Sequence, residues 1–258
     1  MLNWLSITVR RIRSRAERQQ IIQSYDLVHI PLPQNYFFVK QFRLPVVGTV
    51  HDLTHLIFPE FHEKHNIKLS EAGMRFLRKT SARMIAVSKA TKRDIHAYYD
   101  IPDDHVQVVY EAANGDLFNP VKVPERLQQV RSRYHIPEGP YLVSLSTIEP
   151  RKNLANTLAA FLELKSAGGF EDLTFVVCGK RGWKVNTLYD ESHPHAASIH
   201  FTGYVADEDL AAIYSGARAL CYVAHYEGFG LPPLEAMLCG TPVLYGDNSS
   251  MPEVVRDG

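Results

Sequence analysis

Two carboxylates flank a loop rich in glycine and proline between residues 227 and 235. The segment reads EGFGLPPLE, so Glu227 and Glu235 stand eight positions apart, separated by two glycines and two adjacent prolines. The free N–H groups of a glycine loop at a helix start suit an anion such as a phosphate. A carboxylate accepts two hydrogen bonds and therefore suits a vicinal diol such as that of a ribose. These residue types predict a site for a ligand that carries both groups.

The flanking residues predict the elements that hold this loop. Residues 219–223 form a short apolar run, of the kind that a parallel sheet buries on both faces. Pro232 and Pro233 fit the first turn of a helix, and Gly240 fits its end before a second apolar run at residues 241–245. The predicted order is therefore strand, glycine loop, helix, strand.

The two acidic residues receive different predicted positions in this unit. Glu235, in the first helical turn, faces the ligand, whereas Glu227, at the strand end, lies closer to the reacting group. The alternative is that Glu235 only complements the helix dipole and that Glu227 is a solvated loop charge. That alternative leaves the glycines and the second acid unexplained.

The segment EGFGLPPLEAMLCGTPV resembles the E-x7-E signature of retaining, sugar-nucleotide-dependent glycosyltransferases of family 4, which have the two-domain GT-B fold. The resemblance assigns donor-binding roles to the glycine loop, Gly228, Phe229, Gly230 and Leu231, together with Glu235. It also implies that Glu227 orients the donor sugar or phosphate.

A second motif agrees with this family. EPRKN, residues 149–153, follows a predicted strand at residues 141–146 and opens an amphipathic helix. The resemblance implies that Lys152 holds the donor pyrophosphate and that Arg151 contributes less directly. Paired cations on a helix N-terminus suit a departing diphosphate. The alternative for this pair alone is an exposed charge pair on a helix. The helix's apolar side carries Leu154, Leu158, Phe161, Leu162 and Lys165.

Weaker matches lie between these motifs. VVCGKRGW, residues 176–183, resembles a strand followed by a glycine turn, and residues 200–217 resemble the strand and helix whose junction contacts the nucleotide base. The resemblance places that contact near Gly203, Tyr204 and Val205, largely through backbone groups.

The acidic run DED at residues 207–209 has two interpretations. D-x-D binds a divalent metal in the other major glycosyltransferase fold. Here Asp207 is expected to cap a helix instead. We therefore expect neither a metal site nor a cofactor beyond the sugar-nucleotide donor substrate. The buried face of that helix is expected to hold Leu210, Ile213, Tyr214 and Ala217.

Composition limits the other functional classes. With 258 residues and 45% hydrophobic content, the chain is long enough for two packed domains. Basic and acidic residues number 28 each, so no net charge points to nucleic acid as a partner. The three cysteines, Cys178, Cys221 and Cys239, lack C-x-x-C spacing, which predicts reduced thiols and a cytoplasmic protein.

The first eighteen residues are apolar and then strongly basic. Leu2, Trp4 and Leu5 precede five arginines between residues 10 and 18. Such a segment suits an anionic membrane surface, which would place the protein at the inner face of the membrane. The alternative is an ordinary helix that packs on a sheet with its arginines in water. No stretch is long enough to span a membrane.

Residues 25–120 resemble the second half of the family's acceptor domain. Apolar runs at residues 25–30, 45–52 and 82–88 predict strands of a parallel sheet, each followed by a helix. Ser88 is placed to cap the helix that runs to Tyr99. The domain boundary is expected near residue 120, which divides the chain into an acceptor-side domain, 1–120, and a nucleotide-sugar-binding domain, 121–258.

His51 ends a predicted strand at its carboxyl end, where open parallel sheets place their ligands. The resemblance gives this histidine a catalytic role, in which it approaches the donor sugar and the acceptor across the cleft. His55, His62 and His65 follow within the run HDLTHLIFPEFHEKH, and this spacing permits a metal site. Only His51 matches the family pattern, so we expect the other three to be surface or acceptor-loop residues.

The chain also departs from the family. Ser146 stands where glycine is common, and Thr147 lies near the usual position of a phosphate-binding arginine. No strand is predicted before residues 25–30, and both domains are expected to be incomplete.

The expected fold is α/β, with two Rossmann-like domains in GT-B architecture. The expected function is the retaining transfer of a sugar from a nucleotide-diphosphate sugar to a glycan, lipid-linked or small-molecule acceptor. The expected process is the synthesis of cell-envelope polysaccharide. Two alternatives remain. One is a non-catalytic nucleotide-sugar-binding fragment or scaffold subunit. The other is a nicotinamide-dependent oxidoreductase, against which the absence of an early G-x-G-x-x-G argues.

Overall fold

The computed structural model describes residues 4–6, 19–20, 23–40, 44–182 and 188–255; at residues 4–6, 81 and 82 it describes the backbone alone. Contacts divide the chain into two compact units, Met1–Glu111 and Ala112–Gly258. The boundary expected from the sequence lies near residue 120. In the structure Phe118 and Val121 pack in the core of the second unit.

The first unit contains a parallel sheet in which the described strands follow chain order, β1-β2-β3-β4-β5. Apolar side chains at Val28, Val50, Leu77 and Ile95 are fully buried in its core. The strands are β1 (Trp4–Ser6), β2 (Leu27–Ile30), β3 (Val46–Val50), β4 (Ser81–Ala86) and β5 (Val106–Val108). The described helices are α1 (Tyr36–Val39), α2 (Thr54–Ile57), α3 (Lys64–Thr80) and α4 (Lys89–Tyr99), with 3-10 turns at Pro33–Asn35, Pro59–Phe61 and Asp103–His105.

Strand β1 corrects two expectations about the start of the chain. Trp4–Ser6 pairs in parallel with β2, with Trp4 opposite Leu27. A strand therefore precedes residues 25–30, and Trp4–Ser6 does not belong to the helix that was the alternative for the first eighteen residues. Alternate apolar residues fit a strand as well as a short helix, and pairing with β2 decides between them. The arginines of residues 10–18 lie outside the described part of the chain, so the predicted membrane contact stays a prediction.

The predicted cap at Ser88 is confirmed. Its Oγ accepts a hydrogen bond from the backbone N–H of Thr91 at 3.0 Å, and helix α4 runs to Tyr99 as expected. This bond satisfies one of the N–H groups that a helix start leaves without a partner. The cap places the helix directly after β4.

The second unit contains a parallel sheet with the described strands in the order β10-β9-β6-β7-β8. The strands are β6 (Tyr141–Leu145), β7 (Thr174–Cys178), β8 (Ile199–Gly203), β9 (Ala219–Tyr222) and β10 (Val243–Tyr245). The described helices are α5 (Pro124–Arg133), α6 (Leu154–Ser166), α7 (Asp207–Gly216), α8 (Leu231–Leu238) and α9 (Met251–Val255), with 3-10 turns at Pro150–Lys152 and Ala196–Ser198.

This strand order creates a switch point beside β6. The chain runs outward from β6 through β7 to β8, and then crosses to the other side of β6 to form β9 and β10. Connections leave β6 and β9 in opposite directions, which opens a crevice at their carboxyl ends. Open α/β sheets bind ligands in such crevices, so the loops after β6 and β9 are the first place to look for a site.

Both described sheets are parallel and flanked by helices, which confirms the predicted α/β class. Helix α6 buries Leu154, Leu158, Phe161, Leu162 and Lys165, as its sequence pattern predicts. The cysteines Cys178, Cys221 and Cys239 are buried and free, as expected for reduced thiols. Among the described helices, none combines the length and apolar character that crossing a membrane requires.

Candidate active site

The loops after β6 and β9 are joined at the switch point by hydrogen bonds. The backbone N–H of His225 donates to the carbonyl of Arg151 at 2.9 Å. The side-chain amide of Asn153 donates to the carbonyl of Val223 at 3.1 Å. These bonds hold the EPRKN segment against the segment that leads into EGFGLPPLE.

The charged residues of the two motifs form one cluster. Lys152 Nζ lies 2.7 Å from Glu227 Oε1, and a guanidinium nitrogen of Arg151 lies 3.0 Å from Glu227 Oε2. Arg151 also lies 2.7 Å from Oε1 of Glu149, a second buried carboxylate. Two cations thus face two carboxylates. The sequence analysis predicted neither the contact of Glu149 with Arg151 nor the pairing of both cations with Glu227.

Burial changes the pKa of Lys152. Removal from water lowers the pKa of its ammonium group, and the neighbouring Arg151 adds to this effect, whereas attraction to Glu227 opposes it. Its Nζ also donates to the hydroxyl of Tyr222 at 3.0 Å. A weakly hydrated cation of this kind interacts more strongly with an anionic ligand than a surface lysine does.

The backbone at this pair differs from the expectation. Arg151 and Lys152 lie on the 3-10 turn Pro150–Lys152 rather than on the N-terminus of a helix. Asn153 follows in the left-handed conformation, with φ 57° and ψ 27°, and α6 begins only at Leu154. Asparagine tolerates this conformation better than most residues, so the break is local and inexpensive. Positive charge here comes from the side chains rather than from the end of α6.

The glycine loop is held by the segment before α9. The hydroxyl oxygen of the fully buried Ser250 lies 3.0 Å from the carbonyl oxygen of Glu227 and 2.6 Å from that of Phe229, so its one proton is directed at this pair of carbonyls. Ser249 Oγ accepts from the N–H of Glu227 at 3.0 Å. Gly230 has φ 111°, and a Cβ there would overlap the side chain of Met251. The two serines shape the loop, and no sequence motif identified them.

Helix α8 then begins at Leu231 with the prolines in its first turn, as predicted. Glu235 is its fifth residue, so the expected place in the first turn is wrong by one residue, a common error for helix limits. Its Oε2 accepts a hydrogen bond from the hydroxyl of Tyr214 at 3.1 Å. Partial burial raises the pKa of Glu235, and the bond from Tyr214 acts in the opposite direction. One oxygen of the half-buried carboxylate therefore has a fixed partner.

Gly203, Tyr204 and Val205 lie where the sequence places them, at the carboxyl end of β8. The N–H of Gly179 donates to the carbonyl of Gly203 at 2.8 Å. Gly179 has φ 135°, and a Cβ there would overlap the carbonyl of Ser146. Tyr204 is 60% exposed, with Lys180 Nζ 4.7 Å from its ring centre, whereas Val205 is buried. Their contact with a base stays a prediction.

A cavity of about 470 Å³ lies at the same edge of the sheet. Its walls include Gly179 and Gly203 from the ends of β7 and β8, and Ile148 from the loop after β6. Arg181 adds a cation, and Tyr189 and Phe201 stack with ring centres 6.2 Å apart. The volume and the aromatic lining suit a flat heterocycle.

The acidic run at residues 207–209 differs from the expectation. Asp207 is the first residue of α7, and no side chain caps this helix, whose N-cap is Ala206. Asp209 is instead fully buried and bonds to Arg126, Arg133 and Tyr134 at 2.6 to 2.8 Å. The capping role predicted for Asp207 is therefore wrong. The run lies in a helix, and its third member faces the interior.

His51 lies directly after β3 in the first unit. Its Nδ1 lies 2.9 Å from Glu111 Oε1, and its Nε2 lies 3.1 Å from the carbonyl of Pro31. A carboxylate and a carbonyl only accept hydrogen bonds, so both contacts are satisfied when both ring nitrogens carry a proton. The bond to Glu111 raises the pKa of His51, although burial opposes it. The doubly protonated, cationic form of His51 is therefore the one that satisfies both contacts.

The other three histidines of the run do not join His51. His55 is buried, and its Nε2 lies 3.8 Å from Glu71, while His62 is half-buried and His65 is exposed. Burial lowers the pKa of His55. In the part of the chain that the structure describes, no group of three or more His, Cys, Asp or Glu side chains is arranged to hold a metal ion.

Replacing Glu111 with glutamine is expected to lower the pKa of His51. The imidazole should titrate above its ordinary midpoint of about 6.5 in the native chain and lower in Glu111→Gln. A raised folded-state pKa stabilises the fold below about pH 6.5, and this contribution is lost as the pH rises through the folded midpoint. Proton NMR of the imidazole measures both midpoints. Identical His51 midpoints in the two proteins would contradict the pairing.

Comparison with known proteins identifies the family. The family model for glycosyl transferases group 1 matches residues 128–258, more than half of the chain, and that for glycosyltransferase family 4 matches residues 2–115. The chain therefore belongs to the glycosyl transferases group 1. Its relatives include O-antigen chain mannosyltransferase B of Escherichia coli, 32% identical over 213 residues, which cover 82% of this chain and 55% of the relative.

Other relatives and solved structures agree with this family. The serotype-specific mannosyltransferase WbdA of Escherichia coli is 30% identical over 76% of this chain and 24% of its own length. D-inositol 3-phosphate glycosyltransferase of Salinispora arenicola is 28% identical over 94% of this chain and 58% of its own. The chain thus spans little more than half the length of O-antigen chain mannosyltransferase B and of the Salinispora arenicola enzyme, and about a quarter of WbdA.

Two solved structures show the same fold. Anabaena HepE, in complex with UDP and glucose, matches with a TM-score of 0.70 at 18% identity, over 93% of this chain and 65% of that one. WaaG, a glycosyltransferase involved in lipopolysaccharide biosynthesis, matches with a TM-score of 0.70 at 18% identity, over 94% and 65%. The predicted GT-B architecture with two Rossmann-like domains is confirmed.

Proposed function

We propose that this chain binds a nucleoside-diphosphate sugar at the carboxyl edge of the second sheet and transfers the sugar to a glycan, lipid-linked or small-molecule acceptor. The cluster of Arg151, Lys152 and Glu227 beside β6 is the observation that carries this proposal. Buried cations at a switch point suit a diphosphate, and the cavity beside Gly203 suits a base.

The proposed reaction retains the configuration of the sugar. The acceptor oxygen bonds to the anomeric carbon on the face that the diphosphate leaves, and the bond from that carbon to the diphosphate oxygen breaks with its electron pair. The leaving diphosphate takes the proton of the acceptor hydroxyl. Lys152 and Arg151 stabilise the charge that develops on the leaving group. Glu235 holds the ribose, Glu227 orients the donor, and His51 contributes to sugar binding.

The pairing of Glu227 with both cations adds a condition to donor binding. Glu227 lies within 3.0 Å of both cations, so an incoming diphosphate must share or replace this carboxylate. A shared cluster keeps Lys152 in place before the donor arrives, which reduces the cost of ordering it. Where the diphosphate replaces Glu227 at the cations, this carboxylate is released to orient the sugar.

The names of the relatives favour one donor sugar. O-antigen chain mannosyltransferase B and WbdA, both at 30% identity or more, are named as mannosyltransferases. We therefore propose mannose as the transferred sugar and a cell-envelope polysaccharide as the product. A cytoplasmic location and contact with the membrane remain predictions from the sequence.

Transfer is expected to survive an excess of a chelator such as EDTA. The side chains of Arg151 and Lys152 supply the positive charge that a divalent ion supplies elsewhere, so no bound metal is required in this proposal. Initial rates with EDTA, and after addition of Mn²⁺, measure the effect. Activity abolished by EDTA and restored by Mn²⁺ would favour a metal-dependent mechanism.

The proposed function is tested with nucleoside-diphosphate mannose and oligosaccharide acceptors. We expect transfer to the acceptor, with NMR of the first product showing the anomeric configuration of the donor. Inverted configuration would reject the retaining mechanism. Tight donor binding without transfer would favour the alternative, a nucleotide-sugar-binding subunit.

A further inference from the structure

Tyr134, at the C-terminal end of α5, connects three elements of the second unit. Its hydroxyl accepts a hydrogen bond from the N–H of Ala206 at 3.1 Å and donates to Asp209 Oδ2 at 2.8 Å. Its carbonyl lies 2.8 Å from His200 Nε2. One residue thus bonds to strand β8, to the segment that leaves it and to helix α7.

The Asp209 side of this connection is rigid. The carboxylate is fully buried and also bonds to Arg126 and Arg133 at 2.6 and 2.8 Å. Burial alone raises its pKa, but the bonds from Tyr134, Arg133 and Arg126 outweigh this effect and lower it. An ionised carboxylate with three partners fixes the position of the Tyr134 hydroxyl.

Between Gly203 and Ala206 the side chain of Val205 packs in the core, whereas the described hydrogen bonds of the backbone lie at the two ends of the segment. Gly203 has φ 70°, and apart from its chain neighbours no atom of the described residues lies within 4 Å of where its Cβ would be. Tyr204 is mostly exposed. The carbonyl of Gly203 is bonded to Gly179, and the next described backbone anchor along the segment is the bond from Ala206 to Tyr134.

We propose that Tyr134 is a positioning residue for nucleotide binding, which acts by holding the Gly203–Ala206 backbone through the Ala206 amide. This inference rests on the proposed function, in which the base lies in the cavity beside Gly203, and on the predicted contact of the base with the backbone near Gly203, Tyr204 and Val205. Recognition by backbone groups depends on their fixed position, because a mobile segment must be ordered on binding. Tyr134 needs no contact with the ligand. Its effect is therefore confined to ligands that carry a base.

The test compares Tyr134→Phe with a matched control, Tyr141→Phe. The Tyr141 hydroxyl donates to the carbonyl of Ile213 at 2.6 Å, at the other end of α7. Each variant thus loses one hydroxyl that bonds to α7, but only Tyr134→Phe also removes the acceptor of the Ala206 N–H. Calorimetry on the 258-residue chain measures the binding of UDP, GDP, ADP and dTDP, with inorganic pyrophosphate as the ligand without a base.

We expect Tyr134→Phe to weaken binding of the preferred nucleoside diphosphate by about five- to tenfold and to leave pyrophosphate binding unchanged. Tyr141→Phe should change neither. Equal weakening of both ligands, equal weakening by both variants, or no weakening in Tyr134→Phe would overturn the inference while leaving the proposed function intact. A native chain that binds none of the four nucleotides would refute the proposed function and the inference with it.

Discussion

Replacing Lys152 with methionine is expected to lower the rate of sugar transfer by a factor of about a hundred or more. The ammonium group is buried beside Glu227 and is placed to stabilise charge on the leaving diphosphate. Methionine keeps most of the volume of the side chain and removes the charge. Initial rates at saturating donor measure the loss, because the effect is expected in turnover rather than in donor affinity.

The fold of this variant should remain intact. Arg151 still lies 3.0 Å from Glu227, so the buried carboxylate keeps a cationic partner. Lys122→Met is the matched control, since Lys122 is an exposed lysine of the same unit. We expect native turnover in this control. Native turnover in Lys152→Met as well would remove Lys152 from the mechanism.

Replacing Glu235 with alanine is expected to weaken nucleotide binding by about ten- to a hundredfold. This factor corresponds to the loss of about 1.5 to 3 kcal/mol of binding free energy from hydrogen bonds between a carboxylate and a diol. One oxygen of Glu235 is taken by Tyr214, and this bond orients the carboxylate. Calorimetric titration with the preferred nucleoside diphosphate measures the affinity. By comparison, Glu227→Ala should chiefly lower turnover.

Two companion variants separate the loss of a ligand contact from damage to the fold. Tyr214 is fully buried, so Glu235→Ala leaves its hydroxyl without this acceptor. Glu235→Gln keeps an oxygen for Tyr214 and removes the charge, whereas Tyr214→Phe keeps Glu235 and removes the orienting bond. We expect affinities between those of the native chain and Glu235→Ala. Unchanged affinity in Glu235→Ala would reject the ribose assignment.

The parts of the site that the sequence predicted are those set by local chemistry. Short apolar runs predicted strands β6 and β9, and the prolines predicted the start of α8. Ser88 predicted its own cap. In each of these places the conformation is favoured by residues that are neighbours in the sequence, and the tertiary contacts favour the same conformation.

The parts that the sequence missed depend on contacts between distant segments. Ser250 bonds to carbonyls of the glycine loop more than twenty positions away, and Asp209 meets Arg126 across two elements. Strand β1 is identified by its pairing with β2. The 3-10 turn that contains Lys152 is separated from helix α6 by Asn153, which has the left-handed conformation. Short apolar runs and single asparagines are compatible with several conformations, so packing decides among them.

Mapping of the binding site by NMR tests the central claim most directly. The ¹⁵N-labelled chain is titrated with the preferred nucleoside diphosphate in the presence of EDTA. We expect the largest amide shifts at residues 148–153, 179–182, 203–206 and 227–235, which end or follow strands β6, β7, β8 and β9. Shifts confined to residues 23–111, or no saturable shifts in the second unit, would contradict the assignment of the nucleotide to this edge of the sheet.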